Sequence, residues 1–161
     1  MGMLLILGSA PATAAELKIG VIDAGSAIAE SNVYKKEAAR IAGIEKKINN
    51  MLRSLEQKII NVRNDFQQNS NKWSADKALA KQKDMADLEI RFNRDKSDGI
   101  QVLKRENEQL NARAVGQLNK AIAEYAKAKG YNLILQKNPA VMFEDGTTDV
   151  TGDVVRQMNR K

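Results

Sequence analysis

From Ile41 onward, apolar residues recur at spacings of three and four: Ile41, Ile44, Ile48, Met51, Leu55, Ile59, Val62 and Phe66. On a helix these positions form one narrow stripe, with polar residues filling the remaining surface. From Ile48 the stripe also repeats by elevens, pairing Ile48 with Ile59, Met51 with Val62 and Leu55 with Phe66, a period that favours a straight or slightly right-handed coil. The pattern stops at Gln67-Gln68-Asn69-Ser70-Asn71-Lys72-Trp73-Ser74, where Asn and Ser side chains compete for backbone hydrogen bonds and favour a turn. Ser74 suits the N-cap of a second helix. Its apolar positions Leu79, Met85, Leu88, Phe92, Leu103, Leu110, Leu118, Ile122 and Tyr125 are sparser, with Ala and Gly between them. Residues 35–128 therefore predict an antiparallel coiled-coil hairpin with its tip near 67–74. At 1.5 Å per residue its two helices are roughly 50 and 80 Å long. So thin a seam cannot form the core of a globule, and the arm has to project from a body built by the two ends of the chain.

At the first end, Leu17-Lys18-Ile19-Gly20-Val21-Ile22-Asp23 reads as a strand. Asp23 is placed to cap a short helix over Ala24 to Glu30, and Ser31-Asn32 interrupts before the arm. At the other end, Gly130 follows the lysine-rich turn Lys127-Ala128-Lys129 as a left-handed C-cap. Tyr131 to Gln136 reads as a strand, Lys137-Asn138-Pro139 as a turn, and Ala140-Val141-Met142-Phe143 as another short strand. After the polar loop Glu144 to Thr148, Asp149-Val150-Thr151 opens a final helix with Val154, Val155 and Met158 on one face. Residues 16–34 and 129–161 thus predict a small β-rich body. Three short strands expose edges and bury little. Self-association into a shared sheet or barrel pairs those edges and gives Ile19, Val21, Leu133, Leu135 and Val141 a common core. The expectation is an α+β but mainly α chain that forms an obligate oligomer, with a trimer as the expected count.

At 161 residues the chain has room for one domain, and 43% hydrophobic, 29% charged and only 4% aromatic residues suit helical coils better than a large core. Without histidine or cysteine it lacks the residues behind most nucleophilic, general-base and zinc chemistry. No glycine-rich phosphate loop is present either, so no catalysis, metal or cofactor is expected. Met3-Leu4-Leu5-Ile6-Leu7-Gly8 is far too short to span a bilayer. The small residues after it fit a signal-peptidase site at Ala12-Thr13-Ala14 or Thr13-Ala14-Ala15. Residues 1–15 read as a signal peptide, although no Lys or Arg precedes the apolar run and the start codon is open to revision. An apolar leader without a targeting role is the other reading.

The net charge is +6 and the leader contributes none of it. Near the tip, Arg63, Lys72, Lys77, Lys81 and Lys83 outnumber Asp65, Asp76 and Asp84, so grouped arms present a positive field to an acidic partner. Ordinary solvated coiled-coil faces carry such residues too. A basic chain raises nucleic-acid binding as a rival, which calls for a recognition helix or stacking aromatics in a basic stripe, but the arms hold only Phe66, Trp73, Phe92 and Tyr125, and the leader points out of the cytoplasm. A structural coiled-coil adaptor for one folded envelope partner is the stronger alternative; it calls for a defined apolar hot spot.

In order, these pieces resemble the Skp (OmpH) family of periplasmic chaperones for outer-membrane proteins, over the whole mature chain. Lys18-Ile19-Gly20-Val21-Ile22-Asp23 with Ala24-Gly25-Ser26 is similar to the family's opening strand and short helix. Gly130 to Leu135, Ala140 to Phe143, Asp149-Val150-Thr151 and Val154-Val155 resemble its closing signature, while the arms match in length and character. Gln136-Lys137 departs from the acidic residue that often follows the strand. The resemblance implies a jellyfish-shaped homotrimer with a β-barrel-like body, whose helical arms enclose unfolded outer-membrane proteins in the periplasm without ATP. Multivalent weak contacts and basic arms are consistent with that role, and extend it to anionic lipid or lipopolysaccharide surfaces.

Overall fold

The structure is a computed structural model that describes residues 17–139 and 143–160. Strand β1 (Ile19–Ile22) pairs in parallel with strand β2 (Leu133–Gln136), with Ile19 opposite Leu133 and Val21 opposite Leu135. Parallel neighbours need a long crossover, and here the helical arm itself is that crossover. Between the strands run α1 (Ala24–Glu30), α2 (Asn32–Asn69), a single 3-10 turn over Ser70–Lys72, and α3 (Ala75–Lys129); α4 (Thr151–Met158) follows β2. On the far side of β1, the Val21 N–H donates to the Thr148 carbonyl and the Val150 N–H to the Val21 carbonyl, each at 2.8 Å. Among the described residues the sheet has two strands. Val141 and all of the expected strand Ala140 to Phe143 except its last residue lie outside the described residues. Phe143 belongs to no strand and is 85% exposed.

Short polar residues cap the starts of α1, α2 and α3, whereas α4 starts after Val150 without a side-chain cap. Asp23 accepts from the N–H and hydroxyl of Ser26, and Ser74 from the Lys77 N–H. Ser31, buried at the junction of α1 and α2, donates from its hydroxyl to the Ile28 carbonyl and accepts from the Tyr34 N–H. Gly130 ends α3 in the left-handed region at φ 69°. The Lys18 ammonium donates to the Lys129 carbonyl at 2.9 Å, placing a cation at the negative end of α3. At the end of the body sheet Lys137 donates to Glu144 at 2.9 Å and lies 3.6 Å from Asp149, so it straps the 144–149 loop to β2.

At 1.5 Å rise per residue, α2 spans about 57 Å and α3 about 82 Å. The stripe of α2 buries Ile41, Leu55 and Ile59 toward α3, while Met51 stays 40% exposed. On α3 the buried positions are Gly99, Leu110, Ala114, Leu118 and Ala121, and Leu79, expected in the seam, is 66% exposed. Small residues let the helices approach. A Cβ on Gly99 falls 2.7 Å from Cγ2 of Ile48, an atom fixed by β-branching. Gly99→Val is therefore expected to destabilise the arm by about 1–3 kcal/mol through overpacking, read as a lower urea midpoint by circular dichroism. Adding Ile48→Ala should recover part of the loss.

The core sits where α3 runs on past α2. Ile22, Ala27, Leu118, Ala121, Val150, Val154 and Val155 are buried together, with Ile28, Ile122, Tyr125, Tyr131, Ile134 and Met158 against them. Helices supply most of it. On the border of this cluster the Tyr125 hydroxyl donates to Asp153 at 2.6 Å, and Arg156 also pairs with Asp153. The Tyr125 hydroxyl, followed by the Arg156 guanidinium, holds the Asp153 carboxyl below its usual range; burial first, and the hydrogen bond to Asp153 next, push the Tyr125 phenol up. A depressed carboxyl stabilises the fold above its unfolded pKa and loses that contribution as pH falls; a raised phenol stabilises below its unfolded pKa and loses it as pH rises. Thermal stability is expected to be flat between about pH 5 and pH 9 and to fall on both sides. Tyr125→Phe should remove part of the alkaline fall, checked by melting across pH.

Candidate functional site

Two surfaces remain after the core is closed. The first is one face of the sheet. Strand alternation turns Gly20, Ile22 and Ile134 toward the helices, where a Cβ on Gly20 meets the Tyr131 ring at 3.0 Å. Ile19, Val21, Leu133 and Leu135 lie on the opposite face, adjacent by register. Val21 is buried within the chain itself, whereas Ile19, Leu133 and Leu135 are 38%, 44% and 45% exposed. Around Val21 the chain covers this face itself, and the part formed by Ile19, Leu133 and Leu135 stays open among the described residues.

The second surface is the arm. The basic residues picked out near its tip divide into two groups. Arg63 pairs across the hairpin with Glu89 at 3.0 Å, and Lys81 with Asp65 at 3.4 Å. Asp65 is held below the usual carboxyl range mainly by its hydrogen bond from Asn69, then by Lys81. These two cations tie α2 to α3. Lys72 reaches Asn69 at 3.5 Å, and the Lys77 ammonium lies 5.3 Å from the centre of the Trp73 ring. Lys83 is exposed and meets no partner among the described residues. The five side chains do not converge on one point. At the root of the arm Arg40 makes a third cross-helix pair, to Glu106 at 2.5 Å, while also bonding Glu37.

Periodicity missed a third feature. Ile60, Leu79, Ile90, Ile100 and Val115 are 40–66% exposed and scattered along the arm. The signal was available in the apolar residues that fall off the seam, such as Ile60 directly after Ile59. Ile60 borders a shallow groove with Ile59, Phe92 and Asn93. Among the described residues no cluster of acidic side chains is arranged to hold a metal ion, and no helix is long and apolar enough to cross a membrane.

The profile of the family described as outer membrane protein (OmpH-like) matches residues 18–158, from the first strand to the last helix. The chain belongs to the OmpH-like family. Its fold is also that of a solved OmpH-like protein from Caulobacter crescentus CB15, provisionally described as an outer membrane chaperone. The TM-score is 0.81 at 17% sequence identity, covering 96% of this chain and 90% of that one. No curated protein matches the chain in sequence. At that identity the structural likeness carries the fold, and the OmpH-like assignment rests on the family profile.

Proposed function

We propose that this OmpH-like chain is an ATP-independent holdase chaperone, exported to the periplasm behind the signal peptide 1–15, that shields unfolded outer-membrane proteins. The observation that carries this reading is a pair of very long helices held by a thin seam and dotted with isolated exposed apolar side chains. An unfolded barrel protein exposes strands of alternating hydrophobicity that aggregate edge to edge. Scattered weak contacts on several arms retain such a chain together while each contact exchanges freely. The open face of Ile19, Leu133 and Leu135 supports a homotrimer. In it the bodies, residues 16–34 and 129–161, join into a barrel-like core, and the arms, residues 35–128, surround a cavity. Binding needs no bound cofactor, metal or catalytic group.

The test is dilution of a urea-unfolded outer-membrane barrel protein into buffer with and without the mature chain, and without nucleotide. Suppressed light scattering supports the holdase; unabated aggregation in the presence of folded protein refutes it. Charge makes a separate contribution. Replacing Lys72, Lys77, Lys81 and Lys83 together by Gln is expected to slow client capture several-fold at low salt and little at high salt, with assembly intact. Loss of the solvent-screened Lys81–Asp65 pair costs the fold little. An unchanged stopped-flow on-rate would sink the electrostatic steering.

A further inference from the structure

The described chain begins at Leu17, beside the open part of the sheet face. Leu17 is 65% exposed and lies two residues before Ile19, which with Leu133 and Leu135 leaves large apolar side chains in water. Leu17 and Ile19 also border an open cavity of about 530 Å³, together with Lys18, Gly130, Tyr131 and Thr147. An apolar area rimmed by polar groups in this way marks a docking surface.

Residues 1–16 lie outside the described residues, and their sequence complements that surface. Met3-Leu4-Leu5-Ile6-Leu7 is the longest run of large apolar residues in the chain, and Met1 to Ala15 carry no charged side chain. The run can therefore cover an apolar face without burying a charge there. Extended, it measures roughly 17 Å, against roughly 13 Å for the four-residue strands β1 and β2. The connection from Leu7 to Ile19 reaches up to roughly 40 Å. Gly8, Ser9 and Pro11 within it are residues that readily reverse a chain. On so short a tether, the run meets the face at an effective concentration on the order of millimolar. Separate chains in dilute solution compete with that only through a much tighter contact.

We propose that in the uncut chain Met3 to Leu7 cover the open sheet face over Ile19, Leu133 and Leu135, and so hold back self-association through it. Position, length and absence of charge choose this segment as the occupant. The inference rests on the reading that this face joins protomers. Removal of residues 1–15 then frees the face, so assembly follows cutting. The two contacts compete, and at high chain concentration protomers displace the run.

The chain has no cysteine, so an engineered pair reports the contact. In the full uncut chain, Leu5→Cys with Leu135→Cys is expected to close an intrachain disulfide under mild oxidation several-fold faster than Leu5→Cys with Val115→Cys, whose second site lies on the arm. Mass measured over a dilution series tests the consequence. Leu5→Ser with Leu7→Ser in the full chain changes neither the net charge nor any described element. That variant is expected to assemble at concentrations at least about tenfold lower than the parent. Circular dichroism checks that every variant stays helical. Equal crosslinking of the two cysteine pairs overturns the proposal. Assembly of the parent and the serine variant at the same concentration also overturns it, and leaves the oligomer reading intact. Chains that never assemble, with either leader, overturn the oligomer reading and the block with it, whatever the crosslink shows.

Discussion

Replacing Leu133 and Leu135 together by Glu is expected to abolish the proposed oligomer while leaving each chain folded. Both side chains lie on the solvent face of the sheet, 44% and 45% exposed, and the helical core closes against the other face. In the separate chain, therefore, the two carboxylates remain in water and cost little. In an assembly that buries the face, several unpaired carboxylates meet in apolar surroundings, each costing several kcal/mol on the order of a buried charge without a partner. The mass from light scattering should fall to that of one chain, with helical circular dichroism retained. Client protection should fall with it, because isolated arms lose multivalent binding. An unchanged mass would mean that the oligomer, if formed, uses another surface.

Leu118→Ala should act the opposite way, on the chain and not on the assembly. Leu118 is 4% exposed where α3 meets the rest of the body, packed with Ile22, Ala27 and Val154. A truncation at such a site removes transfer free energy and leaves a cavity, about 2–5 kcal/mol in a packed core. This core is small, so that is a large part of the total for a marginally stable domain. The expected signature is a lower urea midpoint for the whole chain. Loss confined to arm helicity would instead show that the arm and body unfold independently.

Much of the architecture is legible in the sequence because local rules set it. The stripe from Ile41 to Phe66 fixes which face of α2 meets α3, and Asp23, Ser74 and Gly130 mark helix ends through hydrogen bonds to residues a turn or less away. What the sequence hides is long-range. The parallel pairing of β1 with β2 joins segments at opposite ends of the chain, and no local pattern reports strand direction. The helical share of the core was hidden for the same reason, since most of the described body core comes from α1, α3 and α4. Gly99, Ala114 and Ala121 look like diluents in a periodicity count and are buried contacts in space. At the tip, a surplus of lysines is visible in composition, but the division between Arg63 and Lys81 in close ion pairs and Lys72, Lys77 and Lys83 outside them depends on what faces them across the hairpin.

The most direct measurement is the mass of the complex formed when an unfolded outer-membrane barrel protein is diluted from urea into the purified chain without nucleotide. Native mass spectrometry with sedimentation gives both composition and size. A particle of three chains and one client, with the client kept soluble, is the expected result. An intact oligomer that leaves the client to aggregate, or a complex with one chain per client, contradicts enclosure between arms and turns attention to a coiled-coil adaptor for a folded partner.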